Sequence, residues 1–159
     1  GVDMGMFHNV KKINDSRVDH IIDRLREKLW VLNDKTIGIW GLAFKPGTDD
    51  VRESPAIIAV ENLLERGAHL KLFDPKANQN FRSILQPKPK EITFVSNALE
   101  AAKDCDALLV LTDWPELKHI DPLQIRNIMK NAVVFDGRNC LDSEKYRDCG
   151  FDYIGMGVH

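Results

Sequence analysis

Apolar residues recur at three- and four-residue steps through the first thirty positions: Met6, Phe7, Val10, Ile13, Ile21, Leu25 and Leu29, with Arg17 standing in the stripe. That spacing predicts one amphipathic helix over most of residues 4–32. Its apolar face finds no partner inside so small a unit, so it is expected to pack on a second copy of the chain. Asn33-Asp34 ends the pattern, and the boundary between an N-terminal helix (residues 1–32) and a separate unit (33–159) is expected there. From that point short apolar runs alternate with helical stretches. Residues 36–44 form an apolar run without alternation, as a strand covered on both faces by helices requires. After a polar loop, Ser54 can cap a helix that has Pro55 in its first position and Gly67 as its stop, with Ile57, Val60 and Leu63 facing inward. Further strands are expected at 68–73, 92–95, 107–111, 132–135 and near 153–154, and helices near 81–85, 98–103, 122–130 and 143–149. Strands alternating with helices imply right-handed crossovers and a doubly wound, Rossmann-like α/β parallel sheet.

Composition narrows the function without choosing it. The 159 residues carry 22 basic and 24 acidic side chains, a net charge of -2, which lacks the basic excess that favours nucleic acid or anionic lipid; neither partner is expected. Apolar runs such as Ala107 to Leu111 are far short of the ~20 residues of a membrane helix. Cys105, Cys140 and Cys149 are scattered, with no metal-ligand spacing, and fit a reducing cytoplasm.

Ligands of open parallel sheets bind outside the carboxyl ends of the strands. The residues expected there are Lys45, Asp74-Pro75, Ser96-Asn97, Thr112-Asp113-Trp114 and Asp136-Gly137-Arg138-Asn139. Lys45 and Arg138 follow different strands yet should reach one rim, where two cations suit a diphosphate or a carboxylate; the alternative is two solvated surface charges. Gly38-x-x-Gly41-x-Ala43 lacks the G-x-G-x-x-G spacing of a dinucleotide loop, so these glycines are read as allowing a helix to pack closely on the strand. Asp49, Asp50 and Glu53 read as a solvated loop rather than a metal cluster. Trp114 at the rim suits either stacking on a base or packing. The cysteines are read as structural, although Cys140 lies two residues from Arg138 and is placed to feel its charge.

One stretch carries more than general chemistry. Gly41-Leu42-Ala43-Phe44-Lys45-Pro46-Gly47-Thr48-Asp49-Asp50-Val51-Arg52-Glu53-Ser54-Pro55 resembles the signature that opens the C-terminal, UDP-binding domain of the UDP-glucose 6-dehydrogenases. Leu63-Leu64-Glu65-Arg66-Gly67-Ala68, Phe73-Asp74-Pro75, Thr112-Asp113-Trp114-Pro115-Glu116 and Phe135-Asp136-Gly137-Arg138-Asn139 follow in the family's order. The resemblance covers nearly all of residues 33–159, and the Asp136-Gly137-Arg138-Asn139 form looks more like the UDP-glucose branch than the GDP-mannose or UDP-N-acetylmannosamine branches. The segment around Lys12 to Arg17 is similar to the family's central helix, which joins two nucleotide-fold domains and builds a homodimer.

The resemblance implies that the whole enzyme oxidises UDP-glucose twice to UDP-glucuronate, with two NAD and a thiohemiacetal on a cysteine. The family's NAD-binding domain and its Gly-Ser-x-Cys motif are missing from these residues, so the chain is expected to be a fragment with no activity of its own. His159 stands where relatives have Gly-Arg and reads as belonging to a tag. Mapped residue by residue, the resemblance implies Phe44, Lys45 and Arg138 at the UDP-sugar and Arg52 near the NAD phosphates. A stand-alone nucleotide-binding or interaction module without catalysis is the competing reading from another class.

Overall fold

The computed structural model describes residues 15–157. The part of the expected N-terminal helix that precedes Asp15 lies outside them. Six strands form one all-parallel sheet: β1 Thr36–Trp40, β2 His69–Phe73, β3 Ile92–Phe94, β4 Ala107–Val110, β5 Val133–Asp136 and β6 Asp152–Gly155. Their order across the sheet is β3-β2-β1-β4-β5-β6, the doubly wound arrangement with its switch point between β1 and β4. The helices are α1 Asp15–Leu29, α2 Pro55–Glu65, α3 Asn78–Ile84, α4 Ala98–Ala102, α5 Pro122–Ile128 and α6 Ser143–Asp148. A short 3-10 turn over Pro115–His119 has no counterpart in the periodicity.

Local chemistry starts the helices where it should. Ser54 accepts a hydrogen bond from the Ala56 amide ahead of Pro55, and Gly67 takes a φ of +83° just past the end of α2. Asn97, Asp121 and Asp142 cap α4, α5 and α6 in the same manner. α4 lies on β1 and β2 with α5 and α6 beside it, and the right-handed crossover from β1 to β2 puts α2 on the opposite face, where α1 packs on it. Gly38 is the reason that α4 can approach: a Cβ there would stand 2.3 Å from the Ala101 carbonyl oxygen. The expectation of close helix packing holds at that glycine.

Three expectations need correction. The first strand stops at Trp40, four residues early, because Gly41 has a φ of +97° and lies against Thr112 of the loop after β4. Gly41 therefore serves a loop-on-loop contact and a left-handed turn, not helix packing. The apolar face of α1 also finds its partner inside the chain: Val18, Ile21, Ile22, Leu25 and Leu29 are buried in the common core, against α2 and β5. Thirdly, Arg17 does not interrupt that stripe. The buried positions run Val18, Ile21, Ile22, Leu25, Leu29, and Arg17 is exposed beside them.

Candidate functional site at the carboxyl end of the sheet

Two buried carboxylates shape the rim. Asp74, directly after β2, accepts from the Leu42 and Ala43 amides at 2.7 and 2.9 Å and from Trp114 Nε1 at 3.0 Å through one oxygen. Its other oxygen takes the Lys76 and Ala77 amides. Asp136, the last residue of β5, accepts from the amides of Arg138, Cys140 and Leu141 and from the Tyr153 hydroxyl. Charged acceptors shared among several N–H groups are strong and directional, so they hold the chain after β1 and after β5 in single conformations. These are the two loops that carry Phe44 and Arg138. The sequence carries a signal for both aspartates, an acid at the end of an apolar strand and before Pro or Gly, but their burial and their shared amides arise only across the fold.

Phe44 is 44% exposed, with its amide bonded to the Asp50 carbonyl. Its ring and Arg138 line one small cavity together with Gly137, Arg17 and an apolar floor that includes Val18 and Ile21. Lys45 is exposed on the same loop but is not among the residues lining that cavity. The cavity measures about 80 Å³. A drug-sized ligand needs roughly 300–1,000 Å³, so the concavity can enclose only part of a nucleotide sugar. It is a partial site, open toward whatever completes it.

Arg52 lies outside this cavity, on the loop before α2, and is held by Asp50 through two parallel bonds, Nε to Oδ1 at 3.0 Å and Nη2 to Oδ2 at 2.9 Å. These hydrogen bonds from Arg52 hold the Asp50 carboxyl down at about 2. Nη1 takes no part in this pairing. Trp114 is buried and donates to Asp74, so packing is its role and stacking on a base is not. Cys140 does not respond to Arg138: burial first, then Asp136, pushes its thiol up to about 12. Burial does the same for Cys105, and both are unreactive thiols at neutral pH.

A second, wider concavity of about 750 Å³ opens on the α5–α6 face between the loops after β4 and β5. Its cations already have carboxylate partners, Lys118 with Asp113 at 2.9 Å and Lys145 with Asp142 at 3.9 Å. Among the described residues no helix is long and apolar enough to cross a membrane.

Residues 38–143 match the model of the UDP-glucose/GDP-mannose dehydrogenase family, UDP binding domain. UDP-glucose 6-dehydrogenase TuaD of Bacillus subtilis is 34% identical over 157 residues, 99% of this chain and 33% of that protein. The UDP-glucose 6-dehydrogenase of Rickettsia conorii is also 34% identical, over 98% of this chain and 36% of its own. Among solved structures, a UDP-glucose dehydrogenase from the archaeon Pyrobaculum islandicum superposes with a TM-score of 0.73 at 30% identity, covering 91% of this chain and 30% of that one. A UDP-D-ManNAc dehydrogenase from Pyrococcus horikoshii superposes at 0.70 with 25% identity, over 89% and 30%. The chain thus spans about a third of the length of the relatives it matches. With the family match covering more than half of its residues and the six-stranded sheet in the same arrangement, the chain belongs to the UDP-glucose/GDP-mannose dehydrogenase family through its UDP-binding domain.

Proposed function

We propose that this chain is the UDP-sugar-binding part of an NAD-dependent UDP-glucose 6-dehydrogenase, which converts UDP-glucose to UDP-glucuronate in two oxidations. One observation carries the assignment to the residues: Phe44 and Arg138, from loops after different strands, line one cavity at the carboxyl end of the sheet. Lys45 adds an exposed positive charge at the edge, and Arg138 offers the planar fork that fits phosphate oxygens. Phe44 supplies an apolar wall beside the ligand. The UDP-glucose 6-dehydrogenase names of relatives at about 34% identity favour glucose over the mannose and N-acetylmannosamine sugars.

NAD would supply the hydride acceptor, and among the described residues the loop before α2 suits it best. In dinucleotide-binding folds the acid after the second strand takes the ribose, but here Asp74 is fully engaged by backbone amides and Trp114. The Gly41 turn is likewise filled by Thr112. Arg52, pre-oriented by Asp50 and exposed, remains as the group to meet the NAD phosphates from across a cleft. The segment of α1 belongs, on this reading, to the element that connects the halves of the enzyme. Two copies pair through that region, with Trp30 (86% exposed) and Val31 (57% exposed) as the apolar surface still available at its end. Sedimentation that shows a monomer at all concentrations would remove the pairing.

Titration of the 159-residue chain with UDP, followed by amide chemical shifts, tests the site. A partial site should bind with a Kd of roughly 0.1–10 mM. Shifts should map to the loops at 44–52 and 136–139, and Arg138→Ala should weaken binding about tenfold or more. Shifts confined to other regions would dismiss the assignment. A stand-alone binding module is told apart by the gene: a preceding coding region with a G-x-G-x-x-G loop and a Gly-Ser-x-Cys motif excludes it.

A further inference from the structure

Arg17 is the charged residue that the helical pattern left unexplained, since it stands next to the buried stripe of α1 and not in it. The structure brings it to the cavity that Phe44, Gly137 and Arg138 line. Among the residues lining this cavity none is acidic, and none of the ion pairs of the described residues includes Arg17 or Arg138. The wider concavity on the other face is built differently, with each lysine beside an aspartate. Two guanidiniums lining one small cavity repel each other. A dianionic ligand between them turns that repulsion into attraction. The apolar floor from Val18 and Ile21 also lowers the local polarity under the two cations, which strengthens their pull on an anion.

We propose that Arg17 is a diphosphate-binding residue, which grips the UDP-sugar together with Arg138 in the cavity that both line. The proposal rests on the reading of this rim as the UDP-sugar site and extends it to α1. Each guanidinium presents two parallel N–H donors, and a diphosphate presents two phosphoryl groups, so one arginine per phosphoryl group satisfies both partners. The helix is then more than a connector: Val18 and Ile21 anchor it in the core, and the residue just before them reaches the ligand. A movement of α1 against the sheet would alter affinity for the nucleotide.

The test uses the 159-residue chain and three probes: UDP, inorganic pyrophosphate and glucuronate. UDP and pyrophosphate should both shift the side-chain Nε–Hε resonances of Arg17 and Arg138 in the unmutated chain, and glucuronate should not. Arg17→Ala should weaken UDP about tenfold or more with the thermal midpoint unchanged, since the side chain is exposed, and Arg17→Lys should recover part of the loss. UDP affinity untouched by Arg17→Ala but lowered by Arg138→Ala would overturn the role of Arg17 and leave the site in place. Indifference to both substitutions, or no UDP-dependent shift at all, would overturn the site itself. A response to glucuronate and none to pyrophosphate would reassign the arginine pair to a sugar carboxylate and so overturn the diphosphate proposal.

Discussion

Asp74 and Asp136 show how much of the site depends on single side chains that no ligand needs to touch. Each is buried, and each gathers several N–H donors onto two oxygens. Removing such an acceptor strands its donors away from water, at about 1–3 kcal/mol for each group left unsatisfied. Asp74→Ala should therefore destabilise the chain by about 3 kcal/mol or more, read as a lowered urea midpoint. A change within about 0.5 kcal/mol would mean that water replaces the carboxylate without loss. Tyr153→Phe deletes only one bond to Asp136 and should cost about 1.5–3 kcal/mol, the range for a hydrogen bond to a charged group. Asp50 is a different case, half-buried on its loop. Its carboxyl is held at about 2 by Arg52, so the pairing is fully present above its ordinary value of 3.8 and is lost as pH falls through about 2. Carboxyl carbon shifts should titrate there, and a midpoint near 3.8 would mean the pair does not form in solution.

The element whose reading changed most is α1. Its periodicity was legible, but a repeat of apolar residues does not say which surface will cover them. The cover is α2 and β5 of the same chain, so α1 is a structural part of this unit. Leu25, fully buried, is the residue to test: Leu25→Ala should lower stability by about 2–5 kcal/mol, as for other core leucines. A helix that served only to meet a second copy would show no such loss at concentrations where the chain is monomeric. In β1, Gly38→Ala should cost about 2 kcal/mol or more, because the added methyl meets the backbone of α4 and not a movable side chain. The end of β1 departs from the expected strand for a related reason. Leu42 and Ala43 are as buried and apolar as strand residues, yet their amides turn to Asp74 instead of to a neighbouring strand.

For the molecule as a whole, burial sets the alkaline limit of stability. Cys105 and Cys140 are both pushed from 9.0 to about 12, chiefly by burial, and Tyr146 and Tyr153 are raised in the same direction. A group whose folded value is raised contributes stability that is complete below its unfolded value and disappears as pH climbs to the folded one. The urea midpoint should thus be level below pH 9.0 and fall between there and about 12. A midpoint that stays level across that window would contradict the burial of these groups. Spanning about a third of its relatives, the purified chain should also produce no NADH from UDP-glucose and NAD, because the nucleophile and the main NAD site belong to the rest of the enzyme on the reading proposed. UDP-glucose-dependent NADH from pure protein would overturn that reading.

What the sequence determined by itself is the set of elements and their class. Caps at Ser54, stops at Gly67 and unbroken apolar runs act within a few residues, so β-α alternation, the parallel sheet and the rim at its carboxyl end are readable without coordinates. The long signature from Gly41 to Pro55 added the family for the same reason, since it is contiguous. Only the tertiary structure decided which residues meet. Arg17 and Arg138 are separated by most of the chain and reach one cavity because α1 packs beside β5, whereas Lys45, adjacent to Phe44, lies outside its lining. Cys140 and Trp114 likewise depend on the folded surroundings, Cys140 through burial and then Asp136, and Trp114 through its bond to Asp74. Local propensity is written in neighbours along the chain; the electrostatics of a site depends on distances across it, and those exist only after the sheet has closed its helices around the core.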